Sequence, residues 1–250
     1  MLFRSALATW FGWRAPYLAL AMICLVSLPG CMLLLPPVQG HIEAGMKRGI
    51  AGQLQGIFRN RDHGLVLAFQ FIMVFSGFIL VSFVATYLVA NVGIAESQLA
   101  LCYVFGGLAA LFSSHLAGRL IERMGRQRVF AIMMAGSCVG ALVATHFPPA
   151  PLWAAVLLLM YLYSFFGARQ VPAMAIVTSG IAPAVRGGGL SSNASLQQLA
   201  LGLASFAASG IVGRGPQGEL TRYGLVGLLS VLLGLAALWI ARRIRGVDGR

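Results

Sequence analysis

Long apolar runs alternate with short polar segments along almost the whole chain. Seven runs stand out, at about 15–37, 64–90, 98–117, 129–147, 152–177, 190–213 and 223–241. Each has roughly the 20 residues that a helix needs to cross the hydrocarbon core of a bilayer. In lipid a chain must satisfy its own backbone, so only helices or closed barrels can span. The runs are far too long for barrel strands, and they lack the alternation such strands need. The pattern predicts an all-α membrane protein with seven transmembrane helices. Four stretches follow from it: a short N-terminal segment with the first helix (1–37), a cytoplasmic linker loop (38–63), a six-helix bundle (64–241) and a cytoplasmic tail (242–250).

Composition excludes the alternatives. Of 250 residues, 59% are hydrophobic and only 10% charged, against about 25% charged in a soluble domain. So little charge cannot cover a water-soluble globule. A soluble enzyme, a disordered chain and a disulfide-stapled secreted module are all ruled out. Cys24, Cys31, Cys102 and Cys138 lie inside apolar runs and read as small buried hydrophobes. No phosphate loop, catalytic triad or metal-ligand spacing occurs, so neither an enzyme nor a cofactor is expected.

The net charge of +12 would suggest nucleic acid in a soluble protein. Its placement points to the membrane instead, because Lys and Arg favour cytoplasmic loops. With the N-terminus outside, thirteen basic residues fall inside: Lys47, Arg48, Arg59, Arg61, Arg119, Arg123, Arg126, Arg128, Arg186, Arg242, Arg243, Arg245 and Arg250. Four fall outside, namely Arg4, Arg14, Arg214 and Arg222, and Arg169 lies within a span. A wrong helix count would have mixed basic and neutral loops on each side. The C-terminus is then cytoplasmic. Seventeen arginines against one lysine, with many Ala and Gly, suggest a GC-rich bacterial gene and hence a bacterial inner membrane.

Two polar segments have competing readings. Met46, Ile50, Leu54, Ile57 and Phe58 share a helical face, which suits an amphipathic surface helix. Gly45, Gly49, Gly52 and Gly56 suit a flexible connector equally well. Leu28-Pro29-Gly30-Cys31 is similar to a lipoprotein cleavage site. The apolar run continues past it through Leu33, Leu34 and Leu35, which favours an uncleaved first span.

The segment after the third run reads Gly118-Arg119-Leu120-Ile121-Glu122-Arg123-Met124-Gly125-Arg126-Gln127-Arg128. It resembles the loop signature of the major facilitator superfamily, glycine-x-leucine-x-aspartate-arginine-x-glycine-arginine. Gly118, Leu120, Arg123, Gly125 and Arg126 match, and Glu122 stands for the aspartate. By that resemblance Gly118, Leu120, Glu122, Arg123, Gly125, Arg126 and Arg128 form a gating loop on the cytoplasmic side. An acid among arginines makes a cluster that can latch one of two conformations. The plain alternative is that the arginines only fix topology.

Three further features carry candidate chemistry. Arg169 is ionisable within the fifth run, which marks a functional position by default; its alternative is snorkelling toward cytoplasmic headgroups. Pro172 should loosen the helix just beyond it and free a carbonyl. In the sixth run Asn193 and Gln197 are four residues apart and share a face. They read either as a cavity-facing patch or as interhelical hydrogen bonds. Gln70, Tyr161 and Gln170 complete the candidate substrate-binding or cavity set.

The resemblance extends over about residues 10–241 but only over the sixth helix and C-terminal half of the twelve-helix family fold. Asn91-Val92-Gly93 and Val171-Pro172-Ala173-Met174-Ala175 look most like its drug and arabinose efflux members. It implies a secondary carrier, a proton-coupled exporter of a small organic molecule such as a drug or sugar. None of the six acids, Glu43, Asp62, Glu96, Glu122, Glu219 and Asp248, lies mid-span. The partners implied are lipid, a small-molecule substrate, protons, and a missing N-terminal half or a second copy. A membrane fragment or subunit that does not transport alone is the competing reading.

Overall fold

The computed structural model describes residues 14–34, 61–181 and 186–244. The linker proposed at 38–63 lies outside the described residues except for its last three, which are helical. The chain divides into two units, Met1–Ile50 and Ala51–Arg250. In the first, helix α1 runs Ala15–Leu34 and carries Pro29 inside it.

The second unit is a helical bundle. Helix α2 (Arg61–Tyr87) ends in a π turn at Leu88–Val92. A left-handed Gly93 closes that turn, its N–H reaching Leu88 O. Helices α3 (Leu99–Met124), α4 (Arg126–Thr145), α5 (Leu152–Ala168), α6 (Gln170–Gly180), α7 (Arg186–Ile211) and α8 (Tyr223–Arg243) follow. A two-residue hairpin, β1 (Gly213–Arg214) with β2 (Leu220–Thr221), joins α7 to α8. The fold is all-α and membrane-type. Among the described residues, five stretches are long and apolar enough to cross: His63–Ala90, Glu96–Met124, Arg126–Thr145, Leu152–Gly180 and Tyr223–Arg243.

The other two expected spans differ from these five. The run at 190–213 forms the 26-residue α7, whose glycines, serines and amides make it less apolar than its neighbours. It still packs on α2, with Ala200, Ala204 and Ala208 fully buried at four-residue spacing. Such small residues let two helix backbones approach closely. At 15–37 the helix Ala15–Leu34 is 20 residues long and carries no charged residue, and Leu20–Gly30 is its apolar stretch among the described residues.

Helix pairs α3–α5, α2–α7, α2–α8 and α4–α8 build the bundle. Gly106 sits in the α3–α5 seam: a Cβ there would lie 2.5 Å from the Tyr163 ring and 3.3 Å from Leu159 O. The interior is not one continuous core. One apolar cluster gathers Ile79, Leu80, Ala141, Leu159, Phe166, Ala204 and Val226 toward the hairpin end. A second gathers Phe69, Met73, Phe130, Met134, Ile176, Ala237 and Ile240 toward the opposite end. Gln127 Nε2 donates to Ala241 O (3.4 Å) and Ile244 O (3.3 Å), which places the start of α4 beside the end of α8. Arg119, Arg123, Arg126, Arg128, Arg242 and Arg243 thus share one end of the bundle.

Candidate functional site: a buried arginine between two apolar cores

Between the two clusters runs a thin polar layer. Its centre is Arg169, 4% exposed. The residue sits at the break between α5 and α6. The break has a local cause. Pro172 has no N–H, so the carbonyl four residues back, Ala168 O, loses its helical partner. The flanking bonds persist, Arg169 N to Phe165 O at 3.1 Å and Ala173 N to Arg169 O at 3.2 Å.

The guanidinium reaches three helices. Nη1 donates to Ser137 Oγ at 3.0 Å and to Met134 Sδ at 3.5 Å, both on α4. Nη2 donates to Met73 O on α2 at 3.2 Å. The Phe166 ring, one turn back, lies 4.2 Å from the guanidinium carbon. Gly77 completes the cradle: a Cβ there would meet Nη2 at 2.4 Å and the Phe166 ring at 3.0 Å. Ser76 Oγ also donates to Met73 O, at 2.8 Å, and Ser230 of α8 donates to Ser76 O. Four helices are therefore tied together at one level by serines, two main-chain carbonyls and one arginine.

Magnitudes explain how a cation persists here. An arginine at the centre of a membrane helix costs about 2.5–3.5 kcal/mol on insertion scales. Hydrogen bonds to a charged group contribute about 1.5–3 kcal/mol each, and a desolvated cation–π contact about 2 kcal/mol. Two oxygen acceptors and one aromatic face are enough to offset the cost. Among the described residues no carboxylate contacts Arg169: Glu96, Glu122 and Glu219 lie in the turn before α3, the last turn of α3 and the hairpin. Its Nε is buried with no hydrogen-bond partner.

The other expected cavity residues are scattered. Gln70 and Asn193 are each 1% exposed, inside the bundle. Gln70 Oε1 and Asn193 Oδ1 are buried without a hydrogen-bond partner. Gln197 is half-buried and Gln170 exposed, so Asn193 and Gln197 differ in burial although they share a helix face. Tyr161 is 38% exposed; its hydroxyl donates to Gly136 O at 3.2 Å. It lines an apolar groove of about 380 Å³ between α4 and α5, with Val143, Trp153 and Leu157. The structure joins none of these five to Arg169 by a hydrogen bond.

The segment 118–128, expected as a loop, is helical on both sides of one residue. Gly118, Leu120, Glu122 and Arg123 belong to the last turns of α3, and Arg126 and Arg128 to the first turn of α4. Only Gly125 leaves the helix, at φ 80° and ψ 151°, donating its N–H to Ile121 O. The positive φ explains why glycine stands there. Glu122 is exposed, and among the described residues it forms no ion pair with the arginines around it.

Several participants carried no signal in the sequence. Ser76, Ser137 and Ser230 are single serines in apolar runs, indistinguishable from many others. At the hairpin end, Asn91 does unforeseen work. Its Nδ2 donates to Leu220 O (3.0 Å), and its Oδ1 accepts from Leu220 N (2.8 Å). One side chain thus pairs with β2 as a strand backbone would. Tyr223 OH donates to Leu80 O (2.8 Å), Tyr87 OH donates to Phe147 O (3.0 Å), and the two rings lie 4.7 Å apart.

Long apolar helices tied by a buried polar layer define a multi-pass integral membrane protein. The chain belongs to the Major Facilitator Superfamily, whose family profile matches residues 66–249. The crystal structure of a bacterial homologue of the iron transporter ferroportin, in its outward-facing state, is similar in fold. Its TM-score is 0.59 at 17% identity, covering 79% of this chain and 47% of that one. The chain therefore spans about half the length of that structure. No curated protein matches the chain.

Proposed function

We propose that the chain forms part of a secondary active transporter that exports a small organic molecule, a drug or a sugar, across a bacterial inner membrane. The supporting observation is the layer around Arg169. A charge held between two apolar cores, where the helix lacks one backbone bond, suits a site that changes partners as helices move. Family membership supports the carrier class. Protons are the coupling ion in this reading. The acids Glu96, Glu122 and Glu219 sit at span ends, so the acid that carries the proton is not one of these. The α3–α4 corner at Gly125 would gate the cytoplasmic side, with Arg123 and Arg126 exchanging partners around Glu122.

A second reading has a specific support. The chain spans 47% of the related structure, and alternating access rocks one repeat against another around a shared site. The chain would then act as a subunit with an N-terminal half. Substrate-dependent proton flux in vesicles holding only these 250 residues supports the carrier reading. Flux that appears only when an N-terminal half is co-expressed supports the subunit reading. No flux in either case overturns both.

A further inference from the structure

Arginine has five N–H donors and no acceptor. Arg169 uses three of them, on Ser137 Oγ, Met134 Sδ and Met73 O. Nε has no partner, and Nη2 has one acceptor for two protons. The open donors lie on the two adjacent nitrogens that form the side-on edge of the guanidinium. That edge matches the two oxygens of a carboxylate, which arginine binds as a parallel pair of hydrogen bonds. Ser137, Met134, Met73 and Phe166 bring dipoles and polarisable surface but no negative charge. A buried cation in that setting attracts an anion far more strongly than one in water does.

We propose that Arg169 is the recognition point for the carboxylate of an organic acid, with an apolar body of the acid lying among Phe166, Met73 and Met134. This rests on the transport reading above and narrows its substrate class to carboxylate-bearing compounds. Nε is shut from solvent in this conformation, so the acid reaches it when α5 and α6 flex at Arg169. A bound neutral compound such as an amide could offer the edge one carbonyl oxygen but neither the second oxygen nor the negative charge. A cationic one would face the guanidinium directly. The geometry therefore discriminates by charge.

Benzoate is the probe, with its isosteric amide, benzamide, as the neutral control. Thermal unfolding of the whole chain in detergent is recorded with each at tens of millimolar and with sodium chloride at matched ionic strength. Benzoate is expected to raise the midpoint by about 3 °C, while benzamide and chloride leave it unchanged. Arg169→Gln should abolish the response, and Arg169→Lys should weaken it. Equal responses to benzoate and benzamide, or an undiminished benzoate response in Arg169→Gln, overturn the proposal. If Arg169→Gln does not fold, the contrast between benzoate and benzamide on the unaltered chain still decides. Benzoate stabilisation without flux in vesicles, with or without a co-expressed N-terminal half, leaves the carboxylate site standing and removes the transport reading. Flux of a neutral compound with no benzoate effect does the reverse.

Discussion

Arg169 donates to the main-chain carbonyl of Met73 across the centre of the bundle at 3.2 Å, and Gly77, one turn further along α2, leaves the room for it. The absent side chain at 77 and the buried cation at 169 are two halves of one arrangement. Gly77→Ala places a methyl 2.4 Å from Nη2 and 3.0 Å from the Phe166 ring. Both must shift, and overpacking of this kind costs about 1–3 kcal/mol. The thermal midpoint in detergent should fall by several degrees. Because the two residues share one space, Gly77→Ala combined with Arg169→Ala should destabilise by less than the sum of the single changes. Strict additivity in that cycle would show that the cradle is not coupled.

Pro172 sets the break beside Arg169. Pro172→Ala restores an amide that can donate to Ala168 O and makes α5 and α6 one continuous helix. Hydrogen exchange of the Gln170, Val171 and Ala173 amides should slow, because the one new helical bond is worth about 1 kcal/mol net. Exchange rates equal to those of the unaltered chain would place the cause of the break elsewhere.

Five of the seven expected spans, and a charge at Arg169 inside one of them, were legible because hydropathy over 20 residues and a charge inside an apolar run are strong signals. The hydrogen bonds that hold Arg169 were not. They come from one serine, one thioether and one carbonyl on helices 32 to 96 residues away, and a lone serine in an apolar run reads the same whether it faces lipid or a guanidinium. The arginine-rich segment 118–128 looked like a loop because polarity in a membrane protein marks the end of a span. A helix needs no apolar residues once it leaves the bilayer, so α3 continues to Met124 and only Gly125 turns the chain. Asn91 was noticed as part of a resemblance. Its pairing with Leu220, 129 residues later, depends on a hairpin too short to show in any pattern.

Asn91 clamps the hairpin to the end of α2 through two hydrogen bonds. Asn91→Ala removes both, at about 0.5–1.5 kcal/mol each. Exchange of the Leu220 amide should accelerate roughly tenfold or more, while amides in α4 stay protected. Asn91→Asp keeps an acceptor for Leu220 N–H but turns a second oxygen toward Leu220 O, and it should loosen the hairpin similarly. Unchanged exchange at Leu220 in both variants would show that β2 is held by other contacts.

The proposed topology, drawn from the positive-inside rule, has the Gly125 corner in the cytoplasm and the β1–β2 hairpin outside. Cysteines introduced singly as Arg128→Cys and Gln217→Cys, both exposed positions, test this with a membrane-impermeant thiol reagent. Position 217 should label in intact spheroplasts, and position 128 only after permeabilisation. The reverse pattern would invert the topology.

The most direct test of the carrier assignment is flux in vesicles, with an N-terminal half co-expressed if the chain alone is silent. The unaltered chain is compared with Arg169→Gln and Arg169→Lys, each first shown to be folded by its thermal transition. A lost charge-assisted contact of about 1.5–3 kcal/mol corresponds to roughly a tenfold or larger loss. Arg169→Gln should therefore carry at most about a tenth of the flux, with partial recovery in Arg169→Lys. Equal flux in all three proteins would contradict a working role for the buried arginine and leave it a structural tie between α2, α4 and α5.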